Sequence, residues 1–169
     1  MPSVTFTFKG RQAHSLDEKG RLILPNQFRV VLAASREPAT VYLGSMPGTG
    51  FVSVYPAERW EELCQLWKDE KRFPDTRTML NGQRMFFSNI EQAAVDRTGR
   101  VTVPAHFRTR ANLKDEVAVI GVADKMEIWN PDDLDAFESE GGPAWGHGPA
   151  GESARPSGVP PEEVRLPQF

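Results

Sequence analysis

Two segments of the chain run in step: "HSLDEKGRLILPNQFR", residues 14–29, and "AAVDRTGRVTVPAHFR", residues 93–108, with Asp, Gly, Arg, Pro, Phe and Arg recurring 79 positions later. An internal repeat decides architecture before any local propensity does, because each copy is a unit that must complete its core against the other. The likeness continues downstream. "TVYLGSMPGTGFVSVYP" (40–56) and "EVAVIGVADKMEIWNP" (116–131) each hold two apolar runs around a turn and so read as hairpins, the first with the longer loop.

Within "RVTVP" the period of two places Val101 and Val103 on one side and Arg100 and Thr102 on the other. In "RLILP", Leu22 and Leu24 take the buried side and Arg21 the exposed one, with Ile23 blurring the pattern. Gly20 and Gly99 stand where a tight turn needs a residue tolerant of positive φ. Pro25 and Pro104 end the strands and open short helices that point Phe28 and Leu32, or Phe107 and Ala111, inward. After the first hairpin Pro56 suits a helix start, and Trp60, Leu63, Cys64 and Trp67 share one buried face. After the second, Asn130 can cap and Pro131 start a helix, with Asp132 and Asp133 complementing its dipole. Each half is then strand, basic turn, strand, short helix, hairpin, helix.

The halves divide as 1–72 and 73–138, with a loop around Pro74 and a short helix near 75–81 at the junction. Residues 139–169 contain 12 Gly or Pro among 31 and no periodicity, which predicts a disordered tail.

A net charge of -3 hides a segregation. Residues 1–36 carry six basic residues against two acidic, residues 91–114 carry five against two, and residues 115–138 carry eight acidic residues with Lys125 alone opposing them. Positive charge is written into the repeated segments, and local sign decides what docks. The single Cys64 excludes an internal disulfide. Residues 1–20 lack the pattern of a secretory signal, and no stretch approaches the roughly 20 apolar residues of a membrane span, so a cytoplasmic protein without membrane contact is expected.

An Arg on a tight turn suits DNA, because a guanidinium can read guanine O6 and N7 bidentately while glycine lets backbone N–H groups approach a phosphate. The bland alternative pairs Arg21 with Asp17 and Arg100 with Asp96 inside their own turns; on residue pattern alone both readings stand. A carboxylate repels phosphate, which makes Asp17 and Asp96, with Gly20 and Gly99, shapers of the loops. His14, His106 and His147 are scattered, Cys64 falls on an apolar helix face, and no phosphate-cradling Gly-rich loop is present, so no metal or cofactor is expected.

"HSLDEKGRLILP" and "VDRTGRVTVP", in register with "VYPAERWEEL" and "VIGVADKMEIWNPDDLDAF", resemble the paired signature of the MraZ family of the SpoVT-AbrB superfamily, over roughly residues 6–138. The resemblance implies an α+β fold, a swapped-hairpin type β-barrel made by two tandem half-repeats with short flanking helices. It also implies a DNA-binding regulator, not an enzyme, that assembles into ring-shaped homo-oligomers, often octamers. Such proteins bind short G-rich direct repeats in promoter DNA and usually repress their own division and cell-wall operon, a cytoplasmic and nucleoid-associated role. Carried over residue by residue, the DNA contacts fall on Lys19, Arg21, Arg97 and Arg100. The copies differ at one place, since Lys19 has Thr98 as its counterpart.

Two rival classes remain. Two Asp-bearing Gly turns resemble those of aspartic proteases, but there Gly follows Asp by two residues and here by three. An antitoxin of the same superfamily would have one half-repeat and a partner-binding tail, whereas this chain has the repeat twice.

Overall fold

Leu22 and Val101 hold the same position in the two copies, and they face each other. In the computed structural model, which describes residues 7–141, β2 (Arg21–Ile23) and β6 (Arg100–Thr102) form an antiparallel ribbon that pairs Arg21 with Thr102, Leu22 with Val101 and Ile23 with Arg100. The ribbon continues past both ends: Leu24 donates its N–H to the Gly99 carbonyl and Val103 donates to that of Gly20, each at 2.9 Å.

The other strands form a six-stranded antiparallel sheet in the order β1 (Arg11–Ser15), β7 (Glu116–Val122), β8 (Lys125–Trp129), β4 (Phe51–Pro56), β3 (Thr40–Gly44), β5 (Ile90–Ala94). Hairpins β3–β4 and β7–β8 lie at its centre, as their sequences predict. The leading strand of each copy pairs with the hairpin of the other, β1 with β7 and β5 with β3. This is the swapped pairing that two tandem half-repeats call for. Among the described residues the strands make a sheet and a ribbon rather than one closed ladder, with the isolated bridge of Leu16 with Leu22 between the segments that carry β1 and β2.

Alternation along these strands builds the core between sheet and ribbon. Val41, Leu43, Val52, Val54, Val117, Val119, Met126 and Ile128 from the sheet meet Leu22, Leu24, Val101 and Val103, none more than 1 % exposed. Full burial of each such side chain contributes on the order of 1.5–3 kcal/mol. Helices α1 (Asn26–Leu32) and α4 (Ala105–Arg110) lie beside the ribbon and insert Phe28 and Phe107 into the same core. Pro25 and Pro104 sit at their N-caps, one position earlier than a helix-starting proline.

The opposite face of the sheet carries the longer helices. Against it α2 (Ala57–Lys68) and α3 (Thr76–Phe87) bury an aromatic cluster of Tyr55, Trp67, Phe73 and Phe86. Leu63 and Trp67 are fully buried on α2, while Trp60 and Cys64 are only half-buried, so its apolar face is narrower than the sequence predicts. Helix α3 runs well beyond the expected 75–81. The Asp75 carboxylate accepts the Thr78 N–H at 2.7 Å and starts it, and burial of Met79 and Phe86 against the α2 side carries it on. Helix α5 (Pro131–Gly141) begins as expected, with Asn130 Oδ1 accepting the N–H groups of Asp132 and Asp133 at 2.9 and 3.3 Å.

Ser139–Gly141, assigned by sequence to the tail, form the end of α5; the rest of the expected tail lies outside the described residues. Among the described residues no helix is long and apolar enough to cross a membrane.

Candidate nucleic-acid interface

Both Asp-x-x-Gly-Arg turns fold identically. Asp17 Oδ1 accepts the N–H groups of Lys19 and Arg21, each at 2.9 Å, and Asp96 Oδ1 accepts those of Thr98 and Arg100, also at 2.9 Å. The carboxylate thus organises the amides of its own loop. Main-chain bonds from Gly20 to Asp17 O and from Gly99 to Asp96 O close the turns, and both glycines take the left-handed conformation, with φ of +75° and +80°. These contacts hold both carboxyls below the usual carboxylate range. For Asp17 the Arg21 backbone N–H contributes most; for Asp96 the Thr98 hydroxyl, at 2.7 Å, leads, followed by the Arg100 backbone N–H.

The second carboxylate oxygen takes the Arg. Arg21 donates through Nε to Asp17 Oδ2 at 2.6 Å, and Arg100 through Nε to Asp96 Oδ2 at 2.9 Å. The internal pairing that sequence left open is therefore present, yet it engages one edge of each guanidinium. Among the described residues neither Arg has a partner for its Nη groups, and both side chains keep more than a third of their surface exposed. An exposed ion pair adds little stability; what it fixes here is orientation.

Strand alternation sets Arg21, Ile23, Arg100 and Thr102 on the outer face of the ribbon, opposite Leu22 and Val101. Lys19 and Arg97 project from the exposed tips of the two turns. All four basic residues singled out from sequence thus flank one two-stranded element, with the turns at its opposite ends. Several basic residues elsewhere are paired with acidic ones. Arg11 pairs with Asp135 and Glu138 of α5, and Arg36 with Glu61 of α2. The acidic helix α5 packs on the sheet face turned away from the ribbon, which turns the sequence-level segregation of charge into a spatial one.

A family model described as "MraZ protein, putative antitoxin-like" matches residues 7–82 and 86–142, nearly the whole described chain. The chain belongs to the MraZ family. Among its relatives is the transcriptional regulator MraZ of Heliobacterium modesticaldum, 32% identical over 139 residues that cover 82% of this chain and 91% of that protein. The transcriptional regulators MraZ of Lactiplantibacillus plantarum and Ligilactobacillus salivarius are each 35% identical over 134 residues, covering 79% of this chain and 89% and 87% of theirs. These MraZ relatives are named as regulators and not as enzymes. The turns agree, because an aspartic dyad needs one carboxyl kept protonated, while Asp17 and Asp96 are each bound in a separate turn and both held ionised.

Sequence reasoning on the MraZ signature overlooked Arg29 and Arg108. Both stand four residues after the proline of their copy, on α1 and α4, and both lie half-buried against the turn of the opposite copy. Recurrence at the same step after Pro25 and Pro104 was the available signal.

Proposed function

We propose that the chain is a DNA-binding transcriptional regulator that sets the outer face of the β2–β6 ribbon against duplex DNA. The observation that carries this reading is the pair of guanidiniums on that face, each tethered through Nε and each on a side chain more than a third exposed. A two-stranded ribbon fits the major groove, and an oriented guanidinium matches the O6 and N7 acceptors of guanine. Arg21 and Arg100 are assigned to base edges, and Lys19 and Arg97 to the backbone or flanking bases. G-rich sites suit such a set. One ribbon offers few contacts, so useful affinity comes from a homo-oligomer, a ring in the family's manner, whose subunits engage successive direct repeats. Repression of its own division and cell-wall operon from the nucleoid completes the reading.

The test is a mobility-shift titration on duplex from the chain's own upstream region, intact and with one repeat scrambled. Arg21→Ala and Arg100→Ala are expected to weaken binding to the intact site about tenfold or more each, as loss of a bidentate base contact would. Circular dichroism and elution volume should stay unchanged. Wild-type affinity in both variants would sink the assignment.

A further inference from the structure

We infer that Arg29 and Arg108 are positioning residues that brace each DNA-reading turn from the opposite copy, so that each half fixes the geometry of the other half's turn. This deepens the DNA-binding reading and rests on it.

The bracing is reciprocal. Arg108 lies across Gly20: a methyl group there would sit 2.6 Å from Arg108 Nε and 2.7 Å from Cζ. Its Nε donates to the Val103 carbonyl at 3.1 Å, and Val103 N–H donates in turn to the Gly20 carbonyl. Arg29 covers Gly99 in the same way, its Nε and Nη1 within 3.0 Å of where that methyl would stand, and its Nη1 reaches the Thr98 carbonyl at 3.4 Å. The Arg29 Nε is buried and finds no hydrogen-bond partner among the described residues. Burying a guanidinium nitrogen without a partner is unfavourable, a cost that packing of the apolar stem has to offset. Here the stem is wedged between α1 and the back of the second turn. Each glycine therefore answers two demands at once, a left-handed φ and room for an arginine from the other half. Each arginine in turn supports the segment from which Arg21 or Arg100 projects.

Two measurements on the full chain test this. By amide exchange, Arg29→Ala should speed exchange at Thr98, Gly99 and Arg100 at least fivefold and leave Lys19, Gly20 and Arg21 near wild type; Arg108→Ala should do the reverse. Affinity is then measured on the upstream duplex by fluorescence anisotropy. Arg29→Ala should cost at least fivefold alone or with Arg21→Ala, but less than twofold when added to Arg100→Ala, with the salt slope unchanged. Arg29→Met, which keeps the stem without the charge, should stay within about threefold of wild type and carries the test if the alanine variant does not fold. Unchanged exchange in the braced turn, full additivity with Arg100→Ala, or a salt slope reduced by about one, the mark of a lost phosphate contact, would each overturn the proposal. Should Arg21→Ala and Arg100→Ala bind normally, the DNA-binding reading itself fails and this proposal with it. Should they bind weakly while Arg29→Ala and Arg108→Ala behave as wild type, only the bracing fails.

Discussion

Asp17 holds Arg21 by Nε, at 2.6 Å, the one guanidinium nitrogen that a bidentate contact through both Nη groups does not use. Asp96 and Arg100 repeat the arrangement at 2.9 Å. An ion pair usually competes with ligand binding. This one uses Nε alone and leaves the terminal nitrogens without a partner among the described residues, so in the proposed reading the residues that shape the turn also hold the arginine assigned to base edges.

Replacing Arg21 or Arg100 by Lys tests that geometry apart from charge. A single ammonium cannot donate in parallel to O6 and N7. Arg21→Lys is expected to retain weak binding to scrambled duplex and to lose most of the preference for the intact repeat, a drop of about tenfold. Competition titration with both duplexes reads the ratio, and an unchanged ratio would show that Arg21 meets only the backbone.

The carboxylates predict a pH dependence. With its folded-state pKa below the value of about 3.9 found in an unfolded chain, Asp96 contributes stability that is fully present above about pH 4 and is lost as pH falls through the folded value. Asp96→Asn should therefore be less stable at neutral pH and lose less on acidification. Thr98→Val, which removes the leading hydrogen bond, should fall between. Urea unfolding from pH 7 down to pH 2.5 gives the curves; parallel acid limbs for Asp96→Asn and wild type would contradict the assignment.

Glycine substitutions separate backbone strain from displaced packing. Gly48 has φ of +82° with open space around its Cα, whereas Gly20 and Gly99 have an arginine where a Cβ would go. Gly48→Ala is expected to cost about 1–2 kcal/mol with no change in DNA affinity. Gly20→Ala and Gly99→Ala should cost more than that and weaken binding as well. Equal losses at all three positions would mean that the arginines yield freely.

Trp67 serves as the control away from the ribbon, in a separate cluster. It is fully buried between α2 and α3 and lies over Gly82, where a side chain would occupy the space of its ring. Trp67→Ala should lower stability by about 3–5 kcal/mol while the molecules that remain folded bind DNA as wild type does. A selective loss of affinity would tie the sheet's far face to recognition.

What could be read from the sequence divides along a physical line. Local patterns were legible: the inward Leu22, Leu24, Val101 and Val103, the two hairpins, the Asn130 cap and the left-handed Gly20 and Gly99. Each depends on neighbours within a few positions. The full length of α3 escaped, since Met79 and Phe86 gain their burial from Trp67 and Phe73, outside the helix itself. Arg29 and Arg108 escaped for the same reason at longer range. Beside Phe28 and Phe107 they look like the solvent side of short helices, and only the crossing of the halves places them behind the opposite turns.

Fusion of the two copies into one chain frees them to differ. The first turn reads Asp17-Glu18-Lys19-Gly20-Arg21 and the second Asp96-Arg97-Thr98-Gly99-Arg100, so the tips carry opposite charges at the first intervening position, and on the ribbon the first copy has Ile23 where the second has Thr102. A dimer of identical chains is bound by its symmetry to present the same surface in both directions and so favours palindromes. Unlike turns give a subunit a front and a back. On duplex DNA such a subunit has a heading, and copies of it set down with the same heading would read a site whose units all point one way.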